Sequence, residues 1–174
     1  ALKPHTVSPA SERFRENVAY FDTVCRVANG MSRFVLGAIG ARTTPFKTVR
    51  IDELALQKHG ITVETLDLSS VIARAKSVDV GSEAFQAKAT KLRGLTRWNG
   101  VPEEAFATIA KLGVVLDEII DECHLNALAL RCWIELQEQL GISPCLLMGD
   151  LNDRGLPSAC EVDVGSAVAM HALG

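Results

Sequence analysis

The stretch FVLGAIG, residues 34–40, contains only apolar residues and glycine, and polar segments bound it on both sides. So short and unbroken a run is typical of a strand buried on both faces, because a half-exposed strand alternates apolar with polar residues. Three further segments predict strands: residues 61–68, 125–133 and 156–163.

Helical patterns separate these strands. Residues 8–30 carry apolar side chains at spacings of three and four, with Ser11 as a candidate N-cap, and Ser69 and Ser70 are suited to cap a helix that runs to Lys76. Pro102 is suited to the first position of a long helix. The remaining predicted helices cover residues 51–60, 82–93, 102–123, 135–140, 144–152 and 164 onward.

Strands that alternate with helices favour one sheet with helices packed on both faces. We therefore predict an α/β fold with a doubly wound, mainly parallel sheet, Rossmann-like and three-layered. We interpret residues 1–174 as a single α/β domain. Because the chain has no initiator methionine and abrupt ends, we expect it to be cut from a longer protein.

Composition excludes several kinds of partner. Apolar residues make up 48% of the chain and the formal net charge is -3, which argues against a disordered tail and against nucleic acid as a partner. The apolar runs are far shorter than the roughly 20 residues that span a bilayer. We expect a cytoplasmic protein with no membrane partner, since no signal-peptide pattern is present.

The five cysteines are odd in number and form no C-x-x-C pair. This pattern argues against a disulfide framework and against a zinc site. We expect reduced cysteines in the core.

Candidate chemistry lies where the predicted strands end, since ligands of an open parallel sheet bind beyond the carboxyl ends of its strands. These ends form a polar rim of mixed charge, suited to a small hydroxylated ligand or a hard cation. The residues are Arg42, Thr43 and Thr44, then Asp67, then Arg131 and Trp133, then Glu161 and Asp163.

Most of these residues have a plain structural alternative. The group Arg42 to Thr44 is suited to hold substrate oxygens but equally to form a solvated loop. Asp67 suits a helix cap, and Trp133 suits core packing more often than a sugar platform. We interpret the acidic run 117–122 as a solvated helix face, and His124 and His171 as structural.

Glu161 and Asp163 are separated by one residue at the end of the last strand. Asp163 is suited to cap the terminal helix. A lone buried Glu161 anion is costly, so we expect it to be paired, hydrogen-bonded or bound to a cation. Residue spacing alone does not decide between a functional and a structural role for Glu161.

Three segments carry a family resemblance: GAIGARTTPFKTVR, HGITVETLDLS and, most specifically, LMGDLNDRGLPSACEVDVGSAVAM. They resemble the L-fucose isomerase-like branch of the L-fucose and L-arabinose isomerase superfamily. The resemblance covers most of the chain and implies the second, middle α/β domain of a three-domain enzyme. It also implies homo-oligomerisation of the intact protein.

The resemblance implies that Glu161 is a ligand of a divalent metal, usually Mn²⁺, and one of two acid/base groups. The remaining ligands would come from a flanking domain beyond Gly174. The implied reaction interconverts an aldose and a ketose through an enediol, with a small sugar as substrate and weaker sugar contacts from Arg42, Thr43, Thr44, Arg131 and Trp133. The isolated chain is then expected to be inactive and free of metal.

Two alternatives stay open beside the isomerase hypothesis. One is a non-catalytic α/β sugar-binding or interaction module, which predicts ligand binding without a metal. The other is a flavodoxin-like nucleotide carrier. The particular sugar is not predicted.

Overall fold

In the computed structural model, which describes residues 6–174, four parallel strands form one sheet in the order β2-β1-β3-β4. The predicted parallel α/β fold is confirmed. The strands are β1 (Phe34–Ile39), β2 (Ile61–Leu66), β3 (Ala127–Leu130) and β4 (Ser158–Cys160).

Helices occupy most of the remaining described chain, and a short 3-10 helix covers Lys47–Val49. None of them is both long and apolar enough, within residues 6–174, to cross a bilayer. They are α1 (Glu12–Met31), α2 (Glu53–Gln57), α3 (Leu68–Ser77), α4 (Glu83–Leu95), α5 (Glu103–Glu122), α6 (Glu135–Leu140), α7 (Cys145–Asp153) and α8 (Val164–Leu173).

The sheet separates two apolar layers. Along β1, Phe34, Leu36 and Ala38 join one buried cluster, whereas Ile39 joins the other. Both faces of the strand are therefore covered, which explains why its sequence is continuously apolar. The layer that contains Ile39 is built from α3 to α7, and the opposite layer includes Val164 and Ala167 of α8.

Several predicted boundaries were wrong. Strands β3 and β4 stop at Leu130 and Cys160, short of the predicted ends at residues 133 and 163. Helix α3 is capped by Asp67, whose Oδ1 accepts from the Ser69 N–H at 2.8 Å, so Ser69 lies inside the helix. Pro102 occupies the N-cap of α5 and not its first helical position.

Helix α1 confirms the predicted helix and its cap, since the Ser11 hydroxyl accepts from the Phe14 N–H at 3.2 Å. None of its residues is buried. Its apolar residues, among them Phe14, Val18 and Phe21, are exposed.

The order of the strands sets the position of the site. The chain leaves β1 for β2 on one side and then crosses back to β3 on the other. Between β1 and β3 the direction of winding therefore reverses, and a crevice forms there at the carboxyl ends of the strands. The segments that follow β1, β3 and β4 meet near this crevice.

Candidate functional site

Glu161 lies on an unusual turn between β4 and α8. The backbone φ is 55° at Glu161 and 59° at Val162, in the left-handed region that L residues, and β-branched ones above all, rarely adopt. Such conformations persist where the surroundings hold them, and Val162 is buried. The turn ends at Asp163, whose Oδ1 accepts from the Ser166 N–H at 2.9 Å, which confirms the predicted cap of α8.

Two side chains from other strand ends hold the Glu161 carboxylate. The Thr43 hydroxyl donates to Oε2 at 2.9 Å, and the Cys132 thiol donates to Oε1 at 2.8 Å. Thr43 and Cys132 are buried, and Glu161 is half-buried. The tertiary structure thus brings together residues that follow β1, β3 and β4, and gives the carboxylate one donor on each oxygen.

The thiols beside this carboxylate are in their neutral form at ordinary pH. Burial is the main cause that raises the pKa of the Cys132 thiol, and its hydrogen bond to Glu161 raises this pKa further. Partial desolvation also raises the pKa of the Cys160 thiol. A protonated Cys132 is consistent with its role as a donor to Glu161.

Arg42 is committed to its own loop. Its guanidinium donates to the carbonyl oxygens of Thr43 and Thr44 at 3.0 Å each and to that of Phe46 at 3.3 Å. Thr44 is exposed. Of the three residues predicted after β1, only Thr43 therefore contacts Glu161 in this structure.

Arg131 and Trp133 follow β3 on the same edge of the sheet. The Arg131 guanidinium pairs with Glu135, and its Nε donates to the Trp133 carbonyl at 3.3 Å. The Trp133 indole is 44% exposed and stacks on Phe46 with ring centroids 5.6 Å apart. Trp133 thus presents an open aromatic surface and is not a core residue.

A large cavity of about 780 Å³ lies beyond the carboxyl end of β2, between α3 and α6. Asp67, at its edge, caps α3, as one of the two interpretations of its sequence predicted. The hydrogen bond from the Ser69 backbone lowers the pKa of the Asp67 carboxyl. The lining also includes Ile72, Arg131, Glu135 and Gln139.

Three acids of the run 117–122 pair with basic side chains. Asp117 pairs with Lys88 and Arg154, while Arg74 bridges Glu118 and Glu122. These acids are partly exposed, as the interpretation of a solvated helix face requires.

The cysteines depart from the prediction of a core role. Only Cys132 is buried, whereas Cys25, Cys145 and Cys160 are exposed and Cys123 is intermediate. The sulfur atoms of Cys132, Cys145 and Cys160 all lie within 4.8 Å of one another. Residue spacing gave no signal for this cluster, because its members follow β3, begin α7 and end β4.

Glu161 is compatible with one bond to a hard cation. A carboxylate oxygen has about two acceptor positions, and each Glu161 oxygen has one hydrogen-bond donor, so an acceptor position remains on each. Within residues 6–174 the three cysteines are the only group of at least three Cys, His, Asp or Glu ligand atoms that lie this close together. Glu161 belongs to no such group within these residues.

Comparisons with known proteins find sugar isomerases. A sulfoquinovose isomerase of Alkalicoccus urumqiensis is 29% identical over 163 residues, which cover 93% of this chain and 35% of that protein. A sulfoquinovose isomerase of Clostridium sp. is 24% identical over 165 residues, or 94% of this chain and 37% of the relative. That of Priestia megaterium is 22% identical over 169 residues, or 95% and 37%.

No protein-family model matches the chain. The chain spans about a third of the length of the curated relatives it matches, since the aligned region covers 35% to 37% of each. Nearly all of this chain is thus similar to one segment of proteins that bear the name sulfoquinovose isomerase.

Proposed function

We propose that this chain is an α/β part of an aldose–ketose isomerase, in which the Glu161 carboxylate binds a divalent cation and transfers a proton on the sugar. The observation that carries the proposal is the turn that holds Glu161 over the carboxyl edge of the sheet, with Thr43 and Cys132 as donors. The names of the relatives support the reaction class.

An aldose–ketose interconversion is an internal redox reaction. A proton leaves C2 of the aldose and returns at C1, while a hydroxyl proton moves from O2 to O1 by way of an enediol. C2 is oxidised, C1 is reduced and no external oxidant is needed. In this reaction, Glu161 takes the C2 proton and returns it to C1. Proton transfer by a well-placed side chain raises the reaction rate by about 10²- to 10⁴-fold.

The neighbouring residues orient Glu161. The Thr43 hydroxyl and the Cys132 thiol each fix one carboxylate oxygen, which restricts rotation of the side chain without neutralising it. A divalent cation, with Mn²⁺ as the ion we favour, would polarise the sugar carbonyl and acidify the neighbouring C–H. Glu161 is the residue of this chain that would hold it.

Binding by this chain alone is expected to be weak. Hard divalent cations take six or more oxygen ligands, several of them from protein in a stable site. The other ligands, and with them a complete active site, are proposed to come from the rest of the protein, in an assembly with more than one copy. We propose that residues 1–174 form the middle domain of that protein.

The aromatic surface beside the site supports a second function, a sugar-binding module without catalysis. Trp133 is exposed and stacks on Phe46, an arrangement that suits the apolar face of a sugar ring. This alternative predicts binding of an aldose in the presence of a chelator. The isomerase proposal predicts that removal of the cation abolishes turnover.

The decisive experiment assays the natural full-length protein that contains this chain with sulfoquinovose, L-fucose and L-arabinose. Glu161→Gln keeps the size of the side chain and removes its charge, so isomerisation is expected to fall about a thousandfold. Asp67→Asn is the matched control, since this acid ends a strand at the same edge but caps a helix.

Isomerisation unchanged in Glu161→Gln, with the Asp67→Asn control also active, would reject the proposed role of Glu161. The sugar-binding module would be favoured instead if the protein binds an aldose in the presence of a chelator and does not convert it.

A further inference from the structure

Three cysteine sulfur atoms lie together next to Glu161, and the proposed isomerisation does not use them as a group. Cys132 follows β3, Cys160 ends β4 and Cys145 begins α7. All three Sγ atoms lie within 4.8 Å of one another, and those of Cys132 and Cys160 are 3.2 Å apart.

These separations match the ligand shell of a thiolate-bound ion. Four ligands arranged tetrahedrally around zinc, with Zn–S bonds of about 2.3 Å, place neighbouring sulfur atoms about 3.8 Å apart. The Cys132–Cys160 separation is 3.2 Å and no separation in the group exceeds 4.8 Å, so small rotations of the side chains bring all three sulfurs to these distances. Cys145 begins α7 and Cys160 ends β4, whereas Cys132 lies in the loop after β3.

The surroundings also fit a soft cation. The Met148 Sδ lies 4.0 Å from the Cys160 Sγ, which adds a thioether to the same region. Helix α7 begins at Cys145 without a side-chain cap, so the positive end of its dipole faces a sulfur ligand. Cys145 and Cys160 are exposed, which gives an ion access from solvent, while Cys132 is buried behind them.

We infer that Cys132, Cys145 and Cys160 form a binding site for one soft or borderline d¹⁰ cation such as Zn²⁺ or Cd²⁺. Thiolates select such ions over Mg²⁺, Ca²⁺ or Mn²⁺. On binding, the ion forms three metal–sulfur bonds, three thiol protons pass to solvent, and a water molecule completes the tetrahedral shell. No oxidant or reductant takes part.

This site is separate in chemistry from the cation proposed at Glu161. A hard ion at Glu161 requires oxygen ligands, whereas the cysteine site requires three sulfurs. The inference therefore does not depend on the isomerase proposal. Cys132 is common to both sites. When no soft ion is bound, its thiol donates a hydrogen bond to the Glu161 carboxylate.

The test is a titration of the purified protein with Co²⁺ and Cd²⁺ in the presence of a phosphine reductant, which keeps the cysteines reduced without competing thiols. We expect one ion per chain, with the ultraviolet thiolate-to-metal charge-transfer band, and displacement of Co²⁺ by Zn²⁺. Removing a residue that hydrogen-bonds to a metal ligand lowers the affinity for the metal by about 10- to 100-fold. Removing one of the sulfur ligands is therefore expected to lower the affinity for the ion by at least about a hundredfold.

The variants are Cys132→Ser, Cys145→Ser and Cys160→Ser, with Cys25→Ser as the matched control. Cys145 and Cys160 are exposed, so these two variants are expected to fold, which circular dichroism checks. Cys25 is exposed on α1, outside the cluster, and its variant is expected to bind the ion as the parent does.

A missing charge-transfer band in the reduced parent protein would overturn the inference. Full affinity in both Cys145→Ser and Cys160→Ser would overturn it as well, and so would an equal loss in Cys25→Ser.

Discussion

An acidic residue directly follows each of β2 and β4 at the same edge of one sheet, yet the two acids have different surroundings. After β2, residue 67 alone connects the strand to α3, and the Asp67 carboxylate caps that helix. After β4, residues 161–163 connect the strand to α8, and the cap is Asp163. Glu161 therefore does not cap the helix.

The difference lies in the length of the turn between strand and helix. A one-residue turn has only one side chain that can satisfy the free N–H groups of the helix, so its acid becomes the cap. A three-residue turn separates the cap from the end of the strand. Glu161 and Val162 adopt left-handed backbone conformations in this longer turn, and Glu161 contacts Thr43 and Cys132.

The cavity between α3 and α6 lies on the β2 side of this comparison and the candidate catalytic carboxylate on the β4 side. The cavity of about 780 Å³ is bordered by Asp67, a helix cap, and by the Arg131–Glu135 ion pair. Asp67, Arg131 and Glu135 are thus already bonded to one another or to backbone. The size of a cavity alone therefore does not identify which residues at this edge of the sheet are candidates for catalysis.

Thr43→Val tests how far activity on the β4 side depends on a fixed orientation of the Glu161 carboxylate. Valine fills the same buried space but removes the donor to Oε2, and a hydrogen bond to a charged group is worth about 1.5 to 3 kcal/mol. We expect kcat/KM for the aldose to fall at least about tenfold. The free energy of unfolding is expected to fall by up to about 3 kcal/mol, because the same hydrogen bond stabilises the folded state.

Two variants serve as controls for this change. Thr44→Val alters the exposed neighbouring residue, and Thr43→Ser keeps the hydroxyl, so both are expected to stay near the activity of the parent. Equal activity of Thr43→Val and Thr43→Ser would contradict an orienting role for the hydroxyl.

Asp163→Ala tests whether the cap after β4 is structural only. Loss of the acceptor for the Ser166 N–H is expected to lower the free energy of unfolding by about 1 kcal/mol, measured by denaturant titration. Asp163→Asn retains a capping oxygen and should lose little. If Asp163→Ala reduced isomerisation as much as Glu161→Gln at unchanged stability, the division of roles between the two acids would be wrong.

Asp67→Asn gives the smallest expected effect and concerns pH. The folded state lowers the pKa of the Asp67 carboxyl, so the unfolded chain takes up this proton first as the pH falls. Its contribution to stability is therefore present above the ordinary pKa of about 3.9 and is lost as the pH falls through the lower folded value. Unfolding curves recorded at pH values above and below this range should show that acid lowers the free energy of unfolding less in Asp67→Asn than in the parent protein.

The parallel sheet was accessible from the sequence because its central strand is buried on both faces. That burial produces an unbroken apolar run, and residues 34–40 predicted β1 to within one residue. The caps at Ser11 and Asp163 were also predicted, since capping depends on local sequence. The ends of β3 and β4 were predicted too far along the chain, because the apolar pattern continues past the last ladder pair between Leu130 and Cys160.

Helix α1 illustrates a limit of periodicity. Its repeat of apolar residues predicted a helix correctly, yet no residue of the helix is buried in the described chain. Helix α5 has the same length and eight buried residues. An apolar stripe therefore predicts the conformation of a segment more reliably than it predicts what the segment packs against.

By itself, the sequence determined the class of fold, the order of strands and helices, and the place of Glu161 at the end of the last strand. These features follow from local periodicity, capping and turn chemistry, which act over a few neighbouring residues. Only the tertiary structure decided that Thr43 and Cys132 contact Glu161 and that three cysteines share one place. Those contacts join residues up to 118 positions apart, and they exist because parallel strands bring their carboxyl ends to one edge of the sheet.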